Sequence, residues 1–253
     1  DKGGDHAEET LLLEFAEGTR LFVPIVKIDL VQKYVGGGKI APPLSKIGSS
    51  AWDKRKKRVA EAVVDLAQEL LDIQADRASQ PGFAYPAEDS HWMAEFEAAF
   101  PFDETPDQLA AIEALKDDMA QTKPMDRLIC GDVGYGKTEV AIRAAFKAVD
   151  AGKQVGILVP TTILSEQHHR SFAARMGEFP FVIEVVNRFR PKSEIRDILK
   201  RAAEGKVDVL IGTHRILQKD VAFKDLGLIV VDEEQRFRVE DKEWLKTLRS
   251  TVD

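Results

Sequence analysis

Apolar residues recur along this chain in two rhythms, one of period two and one of period near 3.6. Residues 1 to about 35 read as β structure. Leu11-Leu12-Leu13-Glu14-Phe15-Ala16 predicts one strand, Glu17-Gly18 a turn, and Arg20-Leu21-Phe22-Val23-Pro24 the return strand. A lone hairpin is marginal in water, so further strands are expected upstream. Gly36-Gly37-Gly38 followed by Pro42-Pro43 marks a flexible break. Val59, Val63, Leu66, Leu70 and Ile73 then recur at spacings of four and three, which predicts an amphipathic helix from about Ser50 to Ala78, stopped at Pro81-Gly82. Lys54-Arg55-Lys56-Lys57-Arg58 lies in its first turns, the unfavourable end of the helix dipole for cations. That run reads either as a solvated face or as a phosphate or partner contact.

From about residue 105 the rhythm changes to helices alternating with short apolar runs. Arg127–Cys130, Val155–Val159, Val182–Val186, Val207–Ile211 and Leu226–Val231 are the strand candidates. Short β-branched runs between helical segments predict an α/β fold with a parallel sheet covered on both faces. The expected division is a β domain over 1–35, a linker and long connecting helix over 36–85, and an α/β lobe over 86–253.

Composition narrows the reading. The chain carries 36 Lys+Arg against 43 Asp+Glu, a formal charge of −7. It is not a general polyanion binder, so any grip on nucleic acid must come from a local patch. Cys130 is the single cysteine. It rules out an internal disulfide, fits a reduced cytoplasmic setting, and is expected to be a small buried apolar residue. No apolar stretch is long enough to predict a membrane span, and the N-terminus has no signal-peptide pattern. The chain lacks an initiating Met and closes without a stop signal, so a fragment of a longer protein is expected.

The sharpest motif is Gly131-Asp132-Val133-Gly134-Tyr135-Gly136-Lys137-Thr138, a phosphate loop. Its glycines let several backbone N–H groups face one anion, and the helix expected to start at Lys137 adds its positive end. Lys137 is expected to reach the β and γ phosphates of a nucleotide, and the Thr138 hydroxyl to hold Mg²⁺. The bland alternative is a glycine turn with no ligand. Further on, Leu228-Ile229-Val230-Val231 runs straight into Asp232-Glu233-Glu234-Gln235. In a parallel sheet these acids stand at the strand's carboxyl end, where ligands bind. Asp232 is a candidate Mg²⁺ ligand, and Glu233 a candidate base for an attacking water. Acids at a helix start would look the same; the phosphate loop upstream favours the catalytic reading.

Together these motifs resemble the superfamily-two helicases and translocases, whose motor consists of two RecA-like lobes. The resemblance implies a RecA-like P-loop lobe preceded by part of a small β-barrel and a long helix. It also assigns further residues. Phe102 and Thr105-Pro106-Asp107-Gln108 are similar to the adenine-reading motif, Gln108 bonding the adenine edge with Phe102 packed nearby. Thr161 and Thr162 in Pro160–Leu164, and Thr213 and His214 after Ile211-Gly212, are similar to loops that hold the DNA backbone, with Arg188 and Arg190 adding cations. Thr105 reads equally as an ordinary helix start, and Thr161 and Thr213 also fit plain helix caps, although their order and strand-end placement favour DNA contact.

Within that superfamily, Met125–Gly134 and Asp232–Phe237 resemble both the transcription-repair coupling factors and the RecG-like fork-remodelling helicases. Arg20–Pro24, Pro43–Gly48 and Ala51-Trp52 are similar to the RNA-polymerase-interacting barrel, and the helix after it, of the former family alone. Gln235, Arg238 and Asp241 depart from that family's pattern of His, Gly and His. The resemblance implies an ATP-driven, double-stranded-DNA translocase. It would meet RNA polymerase through the front β segment and excision-repair proteins through parts outside this chain. One lobe without the arginine finger of its partner is expected to be weakly active. A non-catalytic polymerase-binding adaptor is the alternative of another class, and intact Lys137, Thr138, Asp232 and Glu233 weigh against it.

Overall fold

The computed structural model describes residues 9–32, 44–48, 50–79, 81–233, 236–237 and 252. It divides into two compact units, residues 1–70 and 71–253. The expected break at Gly36–Gly38 and Pro42-Pro43 lies outside the described residues.

In the first unit, β1 (Thr10–Glu14) pairs antiparallel with β2 (Arg20–Pro24), in register from Thr10 opposite Pro24 to Glu14 opposite Arg20. The first strand stops two residues earlier than its apolar run. Phe15 donates its N–H to Thr19 O at 2.8 Å, and Ala16–Gly18 closes a 3-10 turn with Glu17 and Gly18 at φ 63° and 71°. Ala16 N–H donates to Ser45 O, and the Lys46 ammonium pairs with Glu17 at 2.9 Å. Leu12 and Phe22, opposite one another in the hairpin, are both exposed. The long helix α1 covers Ser50–Ser79 and crosses the division between the units. Val59 and Val63 of its stripe are 57% and 58% exposed; Leu66, Leu70 and Ile73 lie outside the described side chains.

The second unit carries α2 (His91–Ala98), α3 (Pro106–Met119), α4 (Lys137–Asp150), β3 (Gln154–Leu158), α5 (Thr162–Met176), β4 (Ile183–Val186), α6 (Lys192–Ala203), β5 (Val209–Gly212) and β6 (Leu226–Val231). The sheet runs β4-β5-β3-β6 with every pair parallel. Side chains alternate across it as a pleat requires. Val155, Ile157, Val209 and Ile211 face one core with Phe96, Ile112, Phe146 and Phe172, while Leu158, Val186 and Leu210 face another with Ile198, Leu199 and Ile216. Both faces are covered, which is why Val155–Leu158 of β3 and β5 read as apolar runs.

At the amino-terminal edge of the sheet a buried Gln154 uses its whole amide. Its Nε2 donates to Ala202 O and Val207 O, and its Oε1 accepts from the N–H of Lys224 and Asp225. A fully satisfied buried amide fixes where β3, β5 and β6 begin without leaving an unpaired polar atom.

One expected strand does not form. Among the described residues Arg127–Cys130 is in no strand, and the sheet ends at β6. Leu128 is 82% exposed, Cys130 is exposed rather than buried, and of this run only Ile129 packs on the core. Alternating apolar residues favour an extended backbone, but a strand also needs a ladder partner.

Candidate nucleotide and nucleic-acid site

The phosphate loop follows Arg127–Cys130 and delivers the chain into α4. Gly134 and Gly136 sit at φ 88° and 76°, where a side chain costs energy. A Cβ at Gly136 would also displace the end of the Gln108 side chain, which packs there. No side chain caps α4, because Gly136 occupies the cap position. The N–H groups of its first turn therefore lack a capping partner of the usual kind, the arrangement that suits an anion. The Lys137 ammonium donates to Gly131 O and, at 2.8 Å, to Asp132 O, so the loop curls around its own lysine. Asp132 O also accepts from Tyr135 N–H, while Val133 and Tyr135 point outward.

Gln108 joins α3 to this loop. Thr105 Oγ1 accepts from Gln108 N–H at 3.3 Å, and Gln108 Oε1 accepts from Thr105 N–H at 2.8 Å, a reciprocal capping box. The remaining amide group, Nε2, donates to Tyr135 O at 3.1 Å. Gln108 is thus both a helix cap and a brace for the loop. Phe102 is exposed and meets the edge of Phe100 at 5.6 Å between ring centroids.

The acid side stands at the carboxyl end of β6. Asp232 N–H donates to Leu158 O at 2.9 Å, extending the ladder with β3 one residue past the strand. The Asp232 carboxylate takes a 3.0 Å hydrogen bond from His168 Nε2. This bond, against the opposing effect of burial, holds the Asp232 carboxyl below its ordinary range, and the nearby charge of Lys137 adds to the effect. Glu233 adopts φ 55°, an uncommon left-handed conformation for a residue with a side chain, and pairs with Arg236 at 3.1 Å. Glu234, Gln235, Arg238 and Asp241 lie outside the described residues.

The remaining candidates stand past the carboxyl ends of β3, β4 and β5. Thr161 caps α5, its hydroxyl accepting from Leu164 N–H at 3.2 Å, and Thr162 O accepts from Ser165 Oγ at 2.7 Å. Thr213 is only 7% exposed, and its side chain caps nothing, whereas His214 is exposed. Asn187 is buried and ties its loop to α5: Nδ2 donates to Ser165 Oγ and Glu166 Oε1, and Oδ1 accepts from Phe189 N–H. Arg188 is exposed beside the Phe189 ring, and Arg190 pairs with Glu194. Ile163, Glu166, Arg170, Phe189 and Arg190 line an open groove of about 590 Å³ there.

Two contributors were not assigned a role from the sequence. Asn187 and His168 both act through partners distant along the chain. A signal for His168 did exist: Ser165, His168, Phe172 and Met176 recur at helical spacing and are the buried face of α5, so a histidine among them needs a polar partner.

A phosphate loop heading a helix, with a carboxylate at the end of a neighbouring parallel strand within range of its lysine's charge, defines a RecA-like ATP-binding lobe. The chain belongs to the DEAD/DEAH box helicase family, whose model matches residues 105–253. It is 53% identical to the transcription-repair-coupling factor of Myxococcus xanthus over 96% of this chain and 20% of the relative. It is 50% identical to that of Escherichia coli (strain K12) over 100% of this chain and 22% of the relative. The chain therefore spans about a fifth of the length of these relatives. Among solved structures, that of RecG bound to a three-way DNA junction matches 74% of this chain and 26% of its own, with a TM-score of 0.63 and 34% identity. Among the described residues no helix is long and apolar enough to cross a membrane.

Proposed function

We propose that this chain is the first motor lobe of an ATP-driven double-stranded-DNA translocase that acts on stalled RNA polymerase during excision repair. The observation that carries the reading is geometric: the phosphate loop delivers Lys137 and Thr138 to the head of α4, and Asp232 stands at the carboxyl end of β6, tied to β3 by its N–H to Leu158 O. The residues fit a magnesium–triphosphate complex. The Gly131–Thr138 amides and Lys137 would cradle phosphate, and Thr138 and Asp232 would supply two oxygen ligands to the metal. Among the described residues no group of three or more His, Cys, Asp or Glu is assembled as a metal cage. When bound, the ion neutralises charge on the transferring phosphoryl group. Glu233 orients and deprotonates water, Gln108 and Phe102 border the base, and Lys137 must release its two loop carbonyls to meet phosphate.

Thr161, Thr162, Arg188, Arg190, Thr213 and His214 form the proposed phosphate-backbone track for DNA. Thr213, being buried, contributes through its backbone. In calorimetric titration Lys137→Ala abolishes Mg-ATP binding by the chain; unchanged affinity removes the assignment of the loop.

The structural match to RecG favours a second reading, a fork-remodelling helicase. The front hairpin separates the two. Under the first reading the chain retains RNA polymerase in a pull-down, and Phe22→Ser on the exposed hairpin face releases most of it. Failure of the unmodified chain to retain polymerase favours the fork helicase.

A further inference from the structure

The bond between His168 and Asp232 calls for a reason. His168 is buried on α5, 64 residues away from Asp232 in sequence, and its Nε2 lies 3.0 Å from Asp232 Oδ2. A carboxylate only accepts, so Nε2 carries the proton. The other ring nitrogen, Nδ1, is buried with no hydrogen-bond partner among the described residues. An unsatisfied buried nitrogen is unfavourable. If packing against Phe172, at 6.2 Å between ring centroids, were the only need here, a leucine would meet it without that cost. The ring is therefore held at one nitrogen alone, and that nitrogen addresses the acid at the end of β6.

We propose that His168 is a positioning residue for the metal-binding carboxylate, fixing Asp232 so that its free lone pairs face the metal. The inference rests on the nucleotide reading given above. Asp232 has two oxygens and about four acceptor sites. His168 takes one, on Oδ2, which holds the carboxylate from the α5 side and leaves its other sites for a ligand. Partners behind a metal ligand commonly change metal affinity about 10- to 100-fold when removed. The same bond also ties Asp232 to α5, the helix that begins at the Thr161–Thr162 loop.

The test exploits the reach of two amides. Glutamine at position 168 places its NH₂ near the position of Nε2 and can still donate to Asp232. Asparagine places its NH₂ near Nδ1 and stops short. Both substitutions are polar and both remove the ring, so loss of packing affects them alike. The affinity of the whole chain for a fluorescent ATP analogue is measured with Mg²⁺ and again with EDTA. His168→Asn is expected to weaken binding about 10-fold in Mg²⁺ and by less than about twofold in EDTA, while His168→Gln stays close to wild type in both. Equal losses for the two variants, equal losses with and without metal, or no loss in His168→Asn would each overturn the positioning role while leaving the nucleotide site intact. A wild-type chain whose affinity does not change between Mg²⁺ and EDTA would remove the metal reading itself, and the inference with it.

Discussion

Helices α1 and α4 are both amphipathic by sequence, yet their circumstances are opposite. In α1 the apolar positions Val59, Val63, Val64 and Leu71 are exposed. In α4 even the charged positions Glu139, Arg143 and Lys147 are buried, alongside Ile142, Phe146 and Val149. Periodicity forecasts that a helix forms, not what covers it. What covers α4 comes from far along the chain. Arg143 meets Glu104 and Glu97, Lys147 meets Asp89, and Glu139 takes a two-pronged contact from Arg175 of α5. The guanidinium of Arg143 lies 5.2 Å from the Phe100 ring, and that of Arg175 lies 4.2 Å from Phe96. A helix so enclosed can hold a phosphate loop at its head steady, whereas α1 has no such enclosure at the positions described.

The sharpest way to break this contrast is to strip the charge from the enclosed helix while keeping its bulk. Arg143 is 3% exposed and faces three carboxylates. Arg143→Met preserves the aliphatic stem but leaves Glu97 and Glu104 with fewer partners and Glu139 dependent on Arg175. Removing one partner of a buried pair usually costs about 3–5 kcal/mol. The expected loss here is about 3 kcal/mol, at the low end because Glu97 and Glu104 keep some contact with solvent. Urea denaturation followed by circular dichroism reads it as a lower midpoint. A midpoint equal to wild type would mean that the ion network is incidental and that apolar packing alone holds α4.

The same contrast explains what the sequence could and could not disclose. The turn of the phosphate loop into α4 at Lys137 was legible because the pattern is local: the lysine's two partners, Gly131 O and Asp132 O, lie only six and five residues away. β6 was legible at both ends because Leu226–Val231 is one unbroken apolar run. Thr105 and Thr161 read equally as ligand contacts or as caps, and both do cap their helices. By contrast, Arg127–Cys130 has the composition of a strand and lacks only a neighbour, which no local pattern encodes. His168 belongs to the same class. Its spacing fits a buried helix face, but its meaning lies in an acid 64 residues away. Gln108 shows a middle case, since its capping box is local and its bond to Tyr135 O is not.

The smallest expected effect tests the other helix. Val63 of α1 is 58% exposed, so Val63→Ser removes little apolar surface from cover. Serine costs a helix interior only a few tenths of a kcal/mol relative to good helix formers and is close to valine on that scale. Surface changes away from special features stay within about 0.5 kcal/mol. The expected change in the stability of the chain is therefore near zero, measured by the same urea titration. A loss above about 1 kcal/mol would show that the stripe is covered in solution. Two outcomes then separate by protein concentration: a loss that shrinks on dilution identifies another copy as the cover, by mass action, and a loss independent of concentration identifies a contact within the chain. Either result would make α1 and α4 alike after all, and would return the Val59–Val63 stripe to the role its spacing first suggested.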